Sequence, residues 1–597
     1  MKPLAAAENV AVAVALGMMA LLPLAEIMLR ATLHVGISGS ASFTQHLALV
    51  VGMLGAAVAA RQGRLLSLST LDSMLTGCGA LLARFFTRTV AVLVGALLCL
   101  ASIEFVLAER AGGNVIAYGI PVWLGQAVLP LGFALITLRL AWAAADGWAA
   151  RIATLALAAA AALAAAHRLP LNDTLAITAI GVVLVAAILG SPVFATVGGL
   201  GLLLFWNDGL PMASLALDHY RLVVNPSLPM IPLFTLAGYF LAEGGAPRRL
   251  IRVFHAFFGG LRGGAALVTV LACAFFTSFS GASGVTIIAL GGMLMPLLLG
   301  SGYSQKSALG LLAGAGSLGG MLPPGLPLVL YAIVAKISIE EMFLAGLVPG
   351  LLMVALIAGW GLRQAPRVAT TGRAFDWREA RAALLAAKWE LLLPPVAFLG
   401  LFGGFATPVE AAALTAVYAF VAEVFIYRDL SLRRDVPRVM AECGLLVGGV
   451  LLILGVALGF TNYLVDARIP DRAVDWVTGA LESRWTFLLA LNLFLLVAGC
   501  LLDIFSATVV LVPLIVPLGL AFGVDPVHLG IIFLANMELG YLTPPVGMNL
   551  FFTAYRFGKP LPEVFRAVLA PIAVLAAAVF LITVFPALSM ALPGLIR

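Results

Sequence analysis

Few side chains in the 597-residue chain are suited to chemistry, and the most conspicuous is Asp503, a carboxylate set in a long apolar run. A lone carboxylate in such a setting is costly, so it marks either a functional position or a local use such as the N-cap of the following helix. Hydroxyls follow it at Ser506 and Thr508. A comparable polar interruption, Ser278-Phe279-Ser280-Gly281-Ala282-Ser283-Gly284, sits in another apolar run. Hydroxyl and carbonyl oxygens of this kind suit Na+, whereas the amides of half-helix N-termini suit an anion. Other chemistries lack their residues. The five cysteines (Cys78, Cys99, Cys273, Cys443, Cys500) show no CxxC spacing, the six histidines no HExxH, and no GxxxxGK[ST] occurs. Metal, redox, disulfide and nucleotide-hydrolysing readings are therefore unsupported. Paired Asp, paired His or a Ser/Lys dyad is also lacking, so the chain reads as no enzyme and as needing no cofactor beyond a coupling ion.

The elements that hold these residues follow from composition. With 62% hydrophobic and 10% charged residues, against about 25% charged in soluble domains, the chain cannot cover a water-soluble particle of its size. Its apolar runs are continuous rather than alternating, which predicts an all-α polytopic membrane protein and excludes an outer-membrane barrel. The net charge of +6 comes from loop arginines beside a membrane, not from a basic nucleic-acid-binding domain. Runs at 9–33, 43–60, 88–108 and 121–145 give an N-terminal four-helix module over residues 1–147. The first is too long for a signal peptide and lacks a cleavage pattern. An amphipathic stretch lies at 65–83. The Ala/Leu run at 148–166 predicts a fusion helix and linker over 148–172, and a second domain follows over 173–597.

In that second domain Gly and Pro cluster inside apolar segments, where unpaired backbone survives only if protein or a hydrated cavity covers it. Gly319-Gly320-Met321-Leu322-Pro323-Pro324-Gly325 interrupts one helix, and Gly540-Tyr541-Leu542-Thr543-Pro544-Pro545-Val546-Gly547 another about 221 residues later. Pro296 and Pro517, Glu341 and Glu563, and Pro349 and Pro571 recur at nearly the same offset, giving repeats over about 175–362 and 389–595. With a cytoplasmic N-terminus, the inner segments 61–64, 248–262, 363–388, 428–438 and 556–566 hold about nineteen Lys and Arg. The outer loops 34–42, 109–114, 167–173, 207–225, 336–341 and 466–484 hold about seven. Positive residues thus gather inside, and the C-terminus is expected in the periplasm. The basic segment 248–262 and its counterpart 466–484, rich in both signs of charge, face opposite sides, so the repeats are inverted. Apolar segments 265–298 and 486–519 read as two re-entrant hairpins whose polar tips meet near the midplane. This is the pattern of an alternating-access secondary transporter.

Several strings resemble a known family. Thr407-Pro408-Val409-Glu410-Ala411-Ala412-Ala413, GSLGGMLPPGLPLVLYAIV from Gly316, FLAGLVPGLL from Phe343 and LTPPVGMNLF from Leu542 resemble the large membrane subunit of tripartite ATP-independent periplasmic (TRAP) transporters over residues 175–597. Glu26-Ile-Met-Leu-Arg30, Arg61-Gln62-Gly63-Arg64, and Ile120-Pro121-Val122-Trp123 leading to Leu129-Pro130-Leu131-Gly132-Phe133 resemble the small subunit, as in the naturally fused form. The resemblance implies import of an organic acid (a carboxylate) across the bacterial inner membrane, driven by Na+, with elevator motion and delivery by a periplasmic binding protein. A stand-alone ion-coupled anion carrier is the alternative. Gly325 and Ala282 stand where the family frequently carries hydroxyls, and Leu65 where a polar residue is expected.

The candidate site comprises Ser280, Gly281 and Ser283 in the first hairpin and Asp503, Ser506 and Thr508 in the second. The helix breaks and Na+ positions add Gly319, Gly320, Pro323, Pro324, Gly540, Thr543, Pro544 and Pro545. Glu26 and Arg30, four apart on one helix, are expected to be scaffold. Thr407, Pro408 and Glu410 spell a capping box. Glu538 is expected either to tune the second ion site or to be structural. Arg248, Arg249, Arg252 and Arg262 are expected to set topology and bind membrane lipids.

Overall fold

The computed structural model describes residues 2–67, 77–144, 147–167, 169, 172–366, 375–544 and 547–595. In chain order the helices are α1 (Lys2–Leu33), α2 (Ser40–Gln62), α3 (Cys78–Gly112), α4 (Val122–Gln126), α5 (Val128–Ala144) and α6 (Trp148–Ala166). Next come α7 (Asp173–Ile188), α8 (Val193–Asn207), α9 (Ala213–Val223), α10 (Met230–Glu243) and α11 (Ala246–Phe258). The first hairpin is α12 (Gly264–Ser280) and α13 (Ser283–Gly300). The first broken helix is α14 (Gln305–Ala315), a 3-10 turn over Leu318–Met321, and α15 (Leu326–Ala335). Then follow α16 (Ile339–Arg363), α17 (Trp377–Ala386), α18 (Lys388–Leu391), α19 (Leu393–Phe402), α20 (Pro408–Val421) and α21 (Asp435–Asp466). After α22 (Ile469–Ala480), the second hairpin is α23 (Arg484–Leu501) and α24 (Ile504–Ala521). The second broken helix is α25 (Pro526–Gly540) and α26 (Met548–Phe557), followed by α27 (Leu561–Val584) and α28 (Ala587–Met590).

Among the described residues, twelve helices are long and apolar enough to cross a membrane, or up to fourteen if each of two bent pairs is one span. The chain is a multi-pass helical membrane protein. One bent pair is the first broken helix, which turns by 46° between Met321 and Leu326. The other turns by 73° between α17 and the helices beginning at Lys388.

The helices group into two compact units, Met1–Pro232 with Pro437–Arg472, and Leu233–Val436 with Ala473–Arg597. In the first, α1, α2, α3 and α5 pack together, and α3 also contacts α6, α8 and α9. Gly55 of α2 lies directly against the backbone of Gly444 and Gly448 in α21, so closely that a Cβ there would overlap the Gly444 carbonyl. Small residues at such a crossing let two membrane helices approach backbone to backbone. Ion pairs add to this: Glu8 takes Arg61 at 2.7 Å and also Arg139, and Arg64 reaches Glu442 at 2.8 Å. The Arg61-Gln62-Gly63-Arg64 string is thus used to tie helices of this unit together. Glu26 accepts from the Ile37 amide at 2.8 Å, fastening the end of α1 to the loop that follows.

In the second unit the capping signals form as the sequence spells them. Thr407 and Glu410 close a capping box on α20, and Ser483 and Thr486 close one on α23. The segments expected to be outer loops differ from expectation, because 207–225 contains α9 and 466–484 contains α22. Both helices are too short and polar to register as apolar runs, yet α9 buries Leu215, Ala216, Leu222 and Val223 at helical spacing. The amphipathic stretch at 65–83 falls mainly on 68–76, outside the described residues, and its last residues begin α3.

Two of the four arginines expected to bind lipid, Arg249 and Arg252 on α11, have acidic partners within the protein. Arg249 is no free lipid contact: its guanidinium meets Glu390, Glu423 at 3.1 Å and Asp429 at 2.5 Å, with its Cζ 3.6 Å from the centroid of the Tyr427 ring. Burial opposes the charge, but hydrogen bonds to Asp429 and Glu390 outweigh it and raise the Arg249 pKa. Arg252 pairs with Glu379 at 2.8 Å. The acids are more than a hundred residues away in sequence, so spacing alone gave no hint of them.

Candidate functional site

Both hairpins and both breaks lie within the second unit. The first hairpin turns at Gly281 and Ala282, with Gly281 at φ +66, a left-handed conformation that glycine adopts without strain. A Cβ on Gly281 would stand 2.6 Å from Leu326 Cβ, so the tip is seated on the start of α15. Thr277 ties the arms together and to the break, donating to the Gly316 carbonyl at 2.7 Å and sharing a hydrogen bond with Thr286 Oγ1 at 2.8 Å. Gly319 abuts the α12 backbone, where a Cβ would overlap the Ala274 carbonyl. Gly238 of α10 meets the Phe279 carbonyl and Ser280 amide in the same way. The first tip is therefore gripped on backbone, through glycines.

Its second arm starts without a side-chain cap. Ala282 is the N-cap of α13 in extended conformation (φ −132, ψ 111), and Ser283 is its first helical residue. Ser280 Oγ lies 3.5 Å from the Ala282 amide, a long contact. The first amides of a helix have no intrahelical acceptor and carry the positive end of the macrodipole.

The second tip answers the same problem differently. At the repeat offset Ala282 corresponds to Asp503, which is the N-cap of α24. Asp503 Oδ1 accepts from the amides of Phe505 at 2.9 Å and Ser506 at 3.0 Å, and the Ser506 hydroxyl donates to Oδ2. Thr508 donates to the Ile504 carbonyl at 2.6 Å. The Ile504 amide donates to the Tyr541 hydroxyl at 2.8 Å, binding this tip to the second break. Tyr541 was not singled out from the sequence; a buried phenol inside a Gly/Pro break is the signal that would have found it.

Around the second break, Gly540 touches Gly499 of α23, where a Cβ would stand 2.6 Å from Gly499 Cα. Thr543 donates to the Leu539 carbonyl at 3.0 Å, and Gly547 donates to the Cys500 carbonyl at 3.2 Å. Pro544 lies in this turn, whereas Pro545 falls outside the described residues. Pro323 and Pro324, joined by a cis peptide, end the first break.

The two repeats exchange contacts. The second arm of the first hairpin, α13, packs on α26 beyond the second break, while α24 of the second hairpin packs on α15 beyond the first. Gly284, for example, faces the Phe552 ring, whose Cε2 would be 2.5 Å from a Cβ. Four positions flanking the two tips and breaks thus support one another crosswise. Glu26 and Arg30 belong to the other unit and are not part of this arrangement.

Comparison with known proteins agrees with these features. The family model for the tripartite ATP-independent periplasmic transporter, DctM component, matches residues 177–588, and that for the DctQ component matches residues 19–150. The C4-dicarboxylate TRAP transporter large permease protein DctM of Pseudomonas aeruginosa is 37% identical over 399 residues, 66% of this chain and 92% of that protein. Its counterpart from Rhodobacter capsulatus is 33% identical over 441 residues, 70% of this chain and 99% of that protein. The isethionate TRAP transporter permease protein DctMQ of Oleidesulfovibrio alaskensis is 32% identical over 387 residues, 64% of this chain and 61% of that protein. The chain belongs to the tripartite ATP-independent periplasmic transporter family and carries the small DctQ and large DctM membrane components in one polypeptide.

Proposed function

We propose that the protein imports an organic acid across the bacterial inner membrane in symport with Na+, taking its substrate from a periplasmic binding protein. The observation that carries this reading is the contrast between the hairpin tips. Asp503 occupies the amides of its own helix, while α13 begins at Ala282 with no side chain on its amides. An oxyanion of the substrate is the natural acceptor for the open set, as at other helix N-termini that bind anions. The relatives are named for C4-dicarboxylates and isethionate, small molecules that share an oxyanion on a short organic skeleton.

Na+ enters as cargo. The carbonyls of the breaks and the hydroxyl oxygens of Ser280, Ser283, Ser506 and Thr543 are the hard oxygen donors such an ion takes, with Asp503 as the counter-charge at the second tip. All hairpin and break residues fall in one compact unit and the small-component helices in the other. That partition supports elevator-type motion, in which a unit bearing the site moves as one body.

Uptake of a labelled C4-dicarboxylate into proteoliposomes holding this chain tests the reading, with an inward Na+ gradient and a purified periplasmic binding protein specific for that acid. Accumulation should require both. Full uptake without the soluble protein would assign a stand-alone carrier, and uptake unchanged when the gradient is collapsed would remove Na+ coupling.

A further inference from the structure

Resting on the Na+-coupled reading, we infer that Glu538 is a cation ligand that joins the two repeats, with its carboxylate supplying the negative charge to a Na+ held against the first helix break. Glu538 sits on α25, a turn and a half before Pro544, and is 2% exposed. Neither carboxylate oxygen has a hydrogen-bond partner. The Cβ that Gly320 lacks would stand 3.1 Å from Glu538 Oε1, so the carboxylate lies against the 3-10 turn of the other repeat. The Met321 amide faces it there without reaching hydrogen-bond geometry.

The turn that Glu538 lies against has backbone oxygens that its own prolines leave unpaired. Pro323 and Pro324 carry no N–H, so they offer nothing to the carbonyls three and four residues before them, including those of Gly320 and Met321. Ser317, which opens the same turn, has a buried hydroxyl with no partner. At the repeat offset Ser317 corresponds to Glu538 itself, so both halves place an unsatisfied oxygen at this position and only one of them is charged. A buried carboxylate without partner is far more costly than one that is paired. A buried carboxylate laid against a proline-broken turn of the other repeat is the hard, charged oxygen ligand that a monovalent cation takes.

Equilibrium binding of 22Na+ to the purified full chain, at fixed pH, tests this independently of transport. Glu538→Gln should bind one Na+ fewer per chain than the wild type. Glu538→Asp should keep the stoichiometry with affinity lowered about tenfold, because the shorter side chain withdraws the charge. Gly320→Ala, which fills the space beside Oε1, should weaken binding similarly, and it keeps the proposal testable where Glu538→Gln does not yield monodisperse protein. Unchanged Na+ stoichiometry and affinity in Glu538→Gln would overturn the inference alone, including the case where only its pH dependence moves and the carboxyl is a protonated group. No 22Na+ bound by the wild type would overturn the coupling proposal and this one with it.

Discussion

Asp503 joins an observed structural role to a proposed functional one. The sequence marks it as a carboxylate in an apolar run, and its N-cap role was one of the two uses expected of such a group; the geometry bears that use out with two amides and a hydroxyl. Removing a cap costs about 1 kcal/mol, which a packed hairpin tolerates, whereas removing the charge should abolish an ion site. Asp503→Ala is therefore expected to insert and fold while losing Na+-dependent uptake in proteoliposomes. Asp503→Asn, which keeps a capping oxygen and loses the charge, should fail in the same assay. Wild-type uptake by Asp503→Asn would reduce the residue to a cap. Ser506 and Thr508 were legible as polar tip residues, but not that both hydroxyls donate to local acceptors, since hydroxyl direction depends on turn geometry that spacing does not encode.

Helix breaks and hairpins were legible because Pro lacks a donor and Gly lacks a side chain, and in lipid both leave backbone that must be covered. Which element covers which was not. The crosswise packing of α13 on α26 and of α24 on α15 joins residues of opposite repeats, far apart in the chain, and no local pattern reports it. The same holds for Arg249. Its Glu390, Glu423 and Asp429 partners come from two separate stretches, and Glu390 and Glu423 are fully buried. Arg249→Ala leaves these carboxylates without their cation, and breaking a buried pair costs about 3–5 kcal/mol. Thermal unfolding of the detergent-solubilised protein should show a large drop in Tm, with Arg249→Lys intermediate because it keeps the charge and loses the fork. A Tm unchanged in Arg249→Ala would show the cluster to be dispensable. In the other unit, Gly55→Leu forces α2 away from Gly444 and Gly448, and overpacking of this kind costs about 1–3 kcal/mol. Gly449→Leu, next to that crossing but with open space around it, should leave the same melting curve nearly unchanged.

At the scale of the whole molecule, composition placed the chain in a membrane, and repeated breaks pointed to transport. The grouping into units is a different matter. Residues 173–232 and 437–472 belong with the helices that resemble the small component, although they lie in the part matched by the large one. Contacts such as Gly55 with Gly448 decide that grouping, and a linear reading has no access to them. Two of the three places where the chain passes between units fall at prolines, Pro232 and Pro437, each in the first turn of a helix, where a missing N–H is tolerated. The two tips differ, one capped by its own carboxylate and one without a side-chain cap, and the proposed transport places the substrate carboxylate at the second of these. The most direct test is Na+-driven uptake by Ala282→Asp, which gives α13 the cap that α24 already has. Its melting temperature should rise, since an Asp cap is worth about 1 kcal/mol over Ala, while uptake of the organic acid falls to background because the amides are taken. Wild-type uptake by a stably folded Ala282→Asp protein would contradict the assignment.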